Sequence, residues 1–347
     1  MSETASRRLH ECLAEDAARV LARISLAPLR GKRVLVTGAS GLLGSHILAC
    51  LAAGRAEGVE TEVLAVLRGD SPEHLPPLFT QARARVLHGN LVDPAFRKSI
   101  PEADCVIHAA AYAQPALFMT DPVETLALGA EVTLDLLRRM SPGGLFLFVS
   151  SSEVYSGLTE PPFREDQIGT TTPAHPRACY IESKRAGEAA CHVFRTRGIT
   201  AKVARVSLAY GPGTRPGDKR VLNAFIEAAL TRREIAMRDL GRARRTYAYV
   251  SDVVEMLWSV LLRGRESVYN VGGDATTTIA DLAQAIGAVT KARVVLPEEE
   301  VGIAGAPDHV QLDLTRTREE FGKRDYVTLE EGLARTIDWQ RMLYRAG

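Results

Sequence analysis

The sequence predicts an α/β protein, a Rossmann-type doubly wound parallel sheet with a smaller C-terminal lobe, and three observations lead to the sheet. A short apolar, β-branched run, Val34-Leu35-Val36, enters a glycine turn with Gly38, Gly41 and Gly44 at three-residue spacing. Leu42, Leu43, Ile47, Leu48 and Leu51 then continue at helical spacing. Beyond them, short apolar runs alternate with helical stretches, the order of a parallel sheet rather than of hairpins. Strand, glycine turn and helix in this order suit a phosphate. Glycines let the backbone approach a pyrophosphate, and the free N–H groups and dipole of the helix start supply the positive end. Ser40, Leu42 and Leu43 share the turn and are cofactor-binding candidates with the three glycines.

At 347 residues the chain suits one large domain with an appended lobe, and 46% apolar residues are ample for a globular core. A formal net charge of +1 gives no broad field for nucleic acid or an anionic membrane, so neither is an expected partner. The five cysteines are odd in number, scattered and without a C-x-x-C pair, which argues for a reducing compartment and against disulfides or zinc. No apolar run approaches the ~18 residues of a membrane span and no signal-peptide core opens the chain, so a cytoplasmic protein without a metal is expected.

Taken in order, residues 1–30 form an N-terminal extension. Leu9, Leu13, Ala17, Val20 and Ile24 recur at three or four, giving an amphipathic helix laid on the body and ending near Pro28. Glu62–Leu67 reads as the second strand, whose end normally chooses the cofactor: a carboxylate there holds the adenosine ribose of NAD, an arginine the 2′-phosphate of NADP. Leu67 stands where the acid would sit and Arg68 follows, a lean toward NADP. Arg68 equally suits a solvated loop charge, with Asp70 turned back to the ribose. Arg85–Leu87 is the third strand, followed by Asn90 and Leu91, and Cys105–His108 the fourth. Ala109, Ala110 and Ala111 after it would let a dinucleotide lie close over the strand ends, so these five residues join the cofactor candidates. His108 has no second ligand at metal spacing and reads as structural. A helix over Asp121–Met140 and a fifth strand over Leu145–Val149 come next.

Ser150-Ser151-Ser152-Glu153 follows that strand directly, at the carboxyl end where such sheets place ligands. Tyr180-Ile181-Glu182-Ser183-Lys184 then opens a helix continuing to Arg195. Tyr180 and Lys184 lie on one helical face, so an ammonium can sit near the phenol. A tyrosine base at neutral pH needs its phenolate stabilised by a fixed cation, and Ser151 or Ser152 can share the substrate oxygen and orient it. In the C-terminal half, Ala201–Val206 is a sixth strand, Gly211–Gly217 a Pro/Gly loop and Val221–Leu230 an apolar helix. Ser251 or Asp252 is expected to cap the next helix, and Thr328 with Glu331 to form a capping box.

With T-G-A-S-G-L-L-G, H-A-A-A, S-S-S-E-V-Y, Y-I-E-S-K, A-R-V-S-L-A-Y-G-P-G, R-R-T-Y-A-Y-V-S-D-V-V and V-Y-N-V-G-G in this order, residues 31–345 resemble the extended short-chain dehydrogenase/reductase family, in the branch that modifies nucleotide sugars. The resemblance implies a dinucleotide-binding domain over residues 31–205, completed by segments near 246–280, and a nucleotide-sugar lobe mainly over 206–347. It implies homodimers built through the helices near 121–140 and 177–197. It also implies that Tyr180 removes a hydroxyl proton, usually at C4, while a bound NAD or NADP is reduced and later reoxidised. Arg220 and Arg245 stand where the family turns arginines toward the substrate diphosphate, and Leu208 replaces an Asn that many members carry.

Within that branch, dehydratases and decarboxylases carry a Glu at the position of Glu153, so C5 acid/base chemistry and 4,6-dehydration are the expected reaction. A nucleotide-sugar 4- or 5-epimerase is the alternative. Glucose-type dehydratases place an Asp at the position of Ser152. Decarboxylases use an Arg near the C-terminus where Val310 stands, beside His309, which disfavours decarboxylation. A net NADPH-dependent keto-sugar reductase ranks lower. So does a non-catalytic cofactor-sensing regulator, which usually loses the Tyr/Lys pair.

Overall fold

The computed structural model describes residues 3–69, 75–274, 276–297 and 309–344. Its strands in chain order are β1 (Arg33–Thr37), β2 (Glu62–Leu67), β3 (Ala84–His88), β4 (Cys105–His108), β5 (Leu145–Ser151), β6 (Thr200–Val206) and β7 (Leu208–Tyr210). They continue with β8 (Glu234–Ala236), β9 (Arg244–Tyr249), β10 (Val268–Val271), β11 (Thr276–Thr278), β12 (Arg293–Val295) and β13 (His309–Val310). Seven of them pair in parallel in the order β10-β6-β5-β4-β1-β2-β3. Between β1 and β4 the chain order changes direction, and a doubly wound sheet opens its ligand crevice at such a point.

The strands read as unbroken apolar runs because both faces of the sheet are covered. Along β1, Val34 and Val36 enter one core while Leu35 enters the other; along β5, Leu147 and Val149 oppose Phe146 and Phe148. The first core is closed by α1 (Glu3–Leu21), α2 (Leu42–Ala56) and, later in the chain, the helix over Val250–Arg263. Short helices α3 (Pro76–Gln81), α4 (Pro94–Ser99) and α5 (Pro115–Thr120) precede the helices of the opposite face. These are α6 (Pro122–Gly129), α7 (Glu131–Arg138) and α8 (Ala178–Arg195). The helix expected over Asp121–Met140 is thus two helices. They meet at Ala130, where α6 passes so close to α8 that a Cβ on Gly129 would run into the Ser183 backbone and one on Gly187 would lie 2.8 Å from the Gly129 carbonyl oxygen.

The remaining helices are α9 (Val221–Arg232), α10 (Val250–Arg263), α11 (Ile279–Thr290), α12 (Thr315–Phe321) and α13 (Leu329–Tyr344). In the same half, β9 pairs with β7, β11 and β13, and β8 with β12, as two small sheets. Of the segment 246–280, α10 and β10 serve the large sheet, whereas the end of β9 and β11 belong to a small one. The expected caps resolve differently. α10 starts at Val250, so Asp252 lies inside its first turn, where its carboxylate receives the Lys323 ammonium (2.7 Å) and the Val327 N–H (2.9 Å). Thr328 does accept from the Glu331 N–H (3.2 Å), while the Glu331 carboxylate turns to Arg19 instead (3.0 Å).

The apolar stripe of α1 is buried, Leu9, Leu13, Ala17 and Val20 among it, against α2, α10 and α13. Buried Asp16 meets His46 of α2 (3.2 Å), the Tyr249 hydroxyl (3.2 Å) and Arg335 of α13 (3.0 Å). The helical stretch ends at Leu21, and a 3₁₀ turn over Ala27–Leu29 leads to β1.

The α6/α8 contact supplies a stability test. Gly129→Val should lower the unfolding free energy by roughly 1–3 kcal/mol through overpacking, read as a lower urea midpoint with an unchanged slope. An unchanged midpoint would contradict the close approach of the two helices.

Candidate active site

The glycine turn is held by its neighbours. Gly38 has φ +68°, and a Cβ there would lie 2.8 Å from the Ala109 carbonyl oxygen and the Ala110 nitrogen at the end of β4. A Cβ on Gly44 would run into the Gly38 carbonyl. The turn therefore accepts only glycine at both positions. Gly41 caps α2 with no side-chain hydrogen bond, so the first-turn N–H groups, those of Leu42 and Leu43 among them, have no intrahelical acceptor. Helix dipole, bare N–H groups and the small residues Ala109, Ala110 and Ala111 beside them fit the diphosphate of a dinucleotide. Ser40 faces the other wall of this cleft, its hydroxyl accepting from the Arg215 guanidinium (2.8 Å).

Past the end of β2, Arg68 pairs with Glu124 (3.0 Å) and lies over the Tyr112 ring (5.1 Å). Asn90 donates to the same carboxylate (2.8 Å), the Tyr112 hydroxyl also bonds it, and Leu91 is buried. Arg68 is thus partnered by a protein acid at the place where a 2′-phosphate would need it. Asp70 lies outside the described residues.

The chemical residues gather at the carboxyl end of β5. Ser150 and Ser151 are its last residues, and Ser152 and Glu153 open a 3₁₀ turn over Ser152–Tyr155. The Ser151 hydroxyl caps that turn by accepting the Glu153 N–H (3.2 Å), and it shares a hydrogen bond with the Tyr180 phenol. Tyr180 stacks on Phe118 with ring centroids 4.7 Å apart. Lys184, 4% exposed, donates to the Val149 carbonyl (2.8 Å), its ammonium 5.6 Å from the Tyr180 ring centroid. Burial pushes the phenol up to about 12; the Ser151 hydrogen bond opposes this, Glu153 adds to it, and Arg220 and Arg177 pull it down. Burial likewise drives the Lys184 ammonium down to about 8, against the attraction of Glu188.

Neighbouring groups keep this floor rigid. Glu188 of α8 accepts from Ser150 (2.6 Å) and from buried Arg205 of β6 (2.7 Å), and Arg205 also donates to the Tyr155 hydroxyl (2.9 Å), which donates to Asn270 (2.7 Å). His108 is structural, as expected: its ring bonds Thr37 (2.7 Å) and the Leu128 carbonyl (3.1 Å), and burial lowers it to about 4, which keeps it neutral. No group of His, Cys, Asp and Glu that could hold a metal occurs among the described residues.

Of the two expected substrate arginines, Arg220 begins α9 and is drawn onto buried Asp218 (2.5 Å), with its charge still felt at Tyr180. Arg245 lies on β9, donates to the Arg244 carbonyl (2.7 Å), and stands opposite Val310 in the β9–β13 register. Two further residues at the site were not among the expected ones. Arg177, the N-cap of α8, pairs with Glu153 (2.6 Å), and Phe118 of α5 supports the Tyr180 ring. A basic residue three positions before Tyr180 is a signal readable in the sequence; nothing in the sequence marks Phe118.

A glycine turn that fits a dinucleotide, with Ser151, Tyr180 and Lys184 at the carboxyl end of the neighbouring strand, defines an enzyme of the short-chain dehydrogenase/reductase class. The profile of the NAD dependent epimerase/dehydratase family matches residues 34–272, and the chain belongs to that family. It is 30% identical over 315 residues to UDP-glucuronic acid decarboxylase 1 of Danio rerio, covering 89% of this chain and 72% of that protein. The structure of the epimerase Mth375 of Methanothermobacter thermautotrophicus superposes with a TM-score of 0.79 at 22% identity, covering 94% and 98% of the two chains. That of MoeE5 in complex with UDP-glucuronic acid and NAD does so with a TM-score of 0.72 at 25% identity, covering 90% and 99%.

Lys184 makes the site's cost to stability measurable. Its folded value, about 8, lies below its usual 10.5, so between these two values the unfolded chain binds more protons and stability rises with pH. At pH 7 the buried ammonium is a net burden. Lys184→Met should therefore unfold at higher urea than wild type at pH 7, by on the order of 1–3 kcal/mol, with an advantage that shrinks above pH 8 and is gone near 10.5. A variant no more stable at pH 7 would contradict the burial penalty.

Proposed function

We propose that this enzyme modifies a nucleoside diphosphate sugar without net redox change, and that its reaction is 4,6-dehydration. The observation that carries the reading is the place of Glu153, a carboxylate two residues after the Ser151 that bonds Tyr180, close enough for its charge to act on the phenol. NAD(P), when bound, takes up a hydride from the sugar and returns one later. Tyr180 takes the proton of the C4 hydroxyl as C4 is oxidised. Ser151 holds the same oxygen, and buried Lys184 supplies the fixed positive charge beneath the ring. The C4 ketone acidifies C5–H, and Glu153 removes that proton. Ser152 holds no acid for the departing C6 hydroxyl, so Glu153 delivers the proton there as well.

Arg220 and Arg245 take the diphosphate, whose oxygens match a guanidinium fork; for Arg220 this means sharing its charge with Asp218. The substrate lobe is accordingly the C-terminal half, and the large sheet with its helices is the dinucleotide domain. NAD is the preferred cofactor, because Arg68 is engaged by Glu124 and the MoeE5 structure holds NAD. The face carrying Val123 of α6, 77% exposed, with Leu126 and with Val193 of α8, supports a homodimer through these helices. Five free cysteines and the absence of any membrane-spanning helix among the described residues support a cytoplasmic setting.

Decarboxylation of a nucleotide uronic acid is the second reading, favoured by the name of the Danio rerio relative. Position 310 argues against it. Val310 packs against the apolar cluster of Val154 and Tyr155 and offers no charge to a sugar carboxylate.

Incubation with UDP-glucose, dTDP-glucose, GDP-mannose and UDP-glucuronic acid, read by mass, separates the reactions. Loss of water is expected, loss of carbon dioxide would move the assignment to decarboxylation, and an unchanged mass with a changed sugar to epimerisation. Tyr180→Phe should lower turnover about 10²–10⁴-fold while bound dinucleotide is retained. Glu153→Gln should stop C5 hydrogen exchange with solvent yet leave C4 oxidation in place; undisturbed C5 exchange would remove the dehydratase assignment.

A further inference from the structure

Arg177 is the one cation in direct contact with Glu153 among the described residues, and its setting differs from that of an ordinary surface arginine. Its Nη2 donates to Glu153 Oε1 at 2.6 Å, with both side chains 23% exposed. Its guanidinium carbon lies 5.7 Å from the centroid of the Phe118 ring, the same ring that stacks on Tyr180. Its Nε is buried without a hydrogen-bond partner. The other carboxylate oxygen of Glu153 accepts from Ser156 at 3.2 Å, so the glutamate is held at both ends of its carboxylate. Arg177 is itself held, because it caps α8 and its backbone N–H donates to His175 Nδ1 (3.2 Å).

We propose that Arg177 is a positioning residue for C5 chemistry: it fixes the orientation in which the Glu153 carboxylate meets the sugar. The assignment rests on the dehydratase reading above and names the residue on which its second half depends. In that half the C5–H bond breaks and its proton goes to Glu153. The electron pair becomes the C5=C6 double bond as the C6–O bond breaks, and the same proton leaves on the departing oxygen as water. The guanidinium on one carboxylate oxygen and the Ser156 hydroxyl on the other hold Glu153 in one orientation, and the charge-assisted bond is the stronger of the two. The stacked Phe118 and Tyr180 rings link this pair to the oxidation site, so the proton at C5 and the proton at C4 are handled at a fixed separation.

The test uses the full chain with its bound dinucleotide and the nucleotide sugar turned over in the panel above. C4 oxidation is followed by the absorbance of the reduced nicotinamide, and C5 exchange by deuterium incorporation. Arg177→Met should slow C5 exchange by about 10²-fold and C4 oxidation far less, so that reduced nicotinamide accumulates. Arg177→Lys, which keeps the charge but not the fork, should recover exchange to within an order of magnitude of wild type. Equal loss of both steps, or no loss of exchange, in Arg177→Met would overturn the assignment while Glu153→Gln still blocks exchange. Normal exchange in Glu153→Gln, or no turnover of any sugar in the panel, would overturn the dehydratase reading and this assignment together.

Discussion

The hydrogen bond from the buried Lys184 ammonium to the Val149 carbonyl is the contact on which the rest of the site depends. It ties α8 to the end of β5 just before the strand gives way to the 3₁₀ turn. On one side of it the Tyr180 ring is held between Phe118 and the ammonium; on the other the serines and Glu153 leave the sheet in a fixed direction. An uncompensated ammonium in an apolar floor is costly, and burial shifts it strongly toward the neutral form. Glu188, four residues further along α8, offsets part of that penalty from below. The same glutamate anchors Ser150 and Arg205, so one carboxylate supports both the strand that carries the chemistry and the cation beside it.

The electrostatics above the floor are of a different kind. Glu153 meets Arg177 and Asp218 meets Arg220; Glu153 and both arginines act electrostatically on the Tyr180 phenol. The site therefore carries nearly balanced charge before a substrate enters. On the function proposed above, an anionic diphosphate competes with Asp218 for the Arg220 guanidinium. Preorganised partners of this sort favour orientation over raw affinity.

Much of the sheet was legible in the sequence because its signal is local. β2 and β4 span the residues expected of them, Glu62–Leu67 and Cys105–His108, and the glycine turn announces itself by the residues that no side chain can replace, Gly38 and Gly44. Tyr180 and Lys184 were readable because one helical turn separates them. What escaped depends on partners distant in the chain. The break at Ala130 follows from α6 lying against α8, and no local pattern encodes that crossing. Asp252 resembles a helix cap until Lys323, far along the chain, claims it. The sequence also placed the ammonium near the phenol without indicating that it would bond the Val149 carbonyl. It could not pair Arg177 with Glu153, since 24 residues and a strand-to-helix crossover separate them.

The N-terminal helix has a consequence of its own. Leu9 of α1 lines the space beside Gly213 together with Leu42 and Ser45 of α2, and Asp16 grips His46 of α2. The helix that follows the glycine turn is thus braced from behind by a segment that precedes the family's matched region. A chimera that borrowed the glycine turn from a relative without such a segment would inherit the loop but not its buttress. It would also expose the faces of α2 and α10 that α1 packs against. Grafting at this end of the molecule therefore has to carry the first thirty or so residues along with the fold they support.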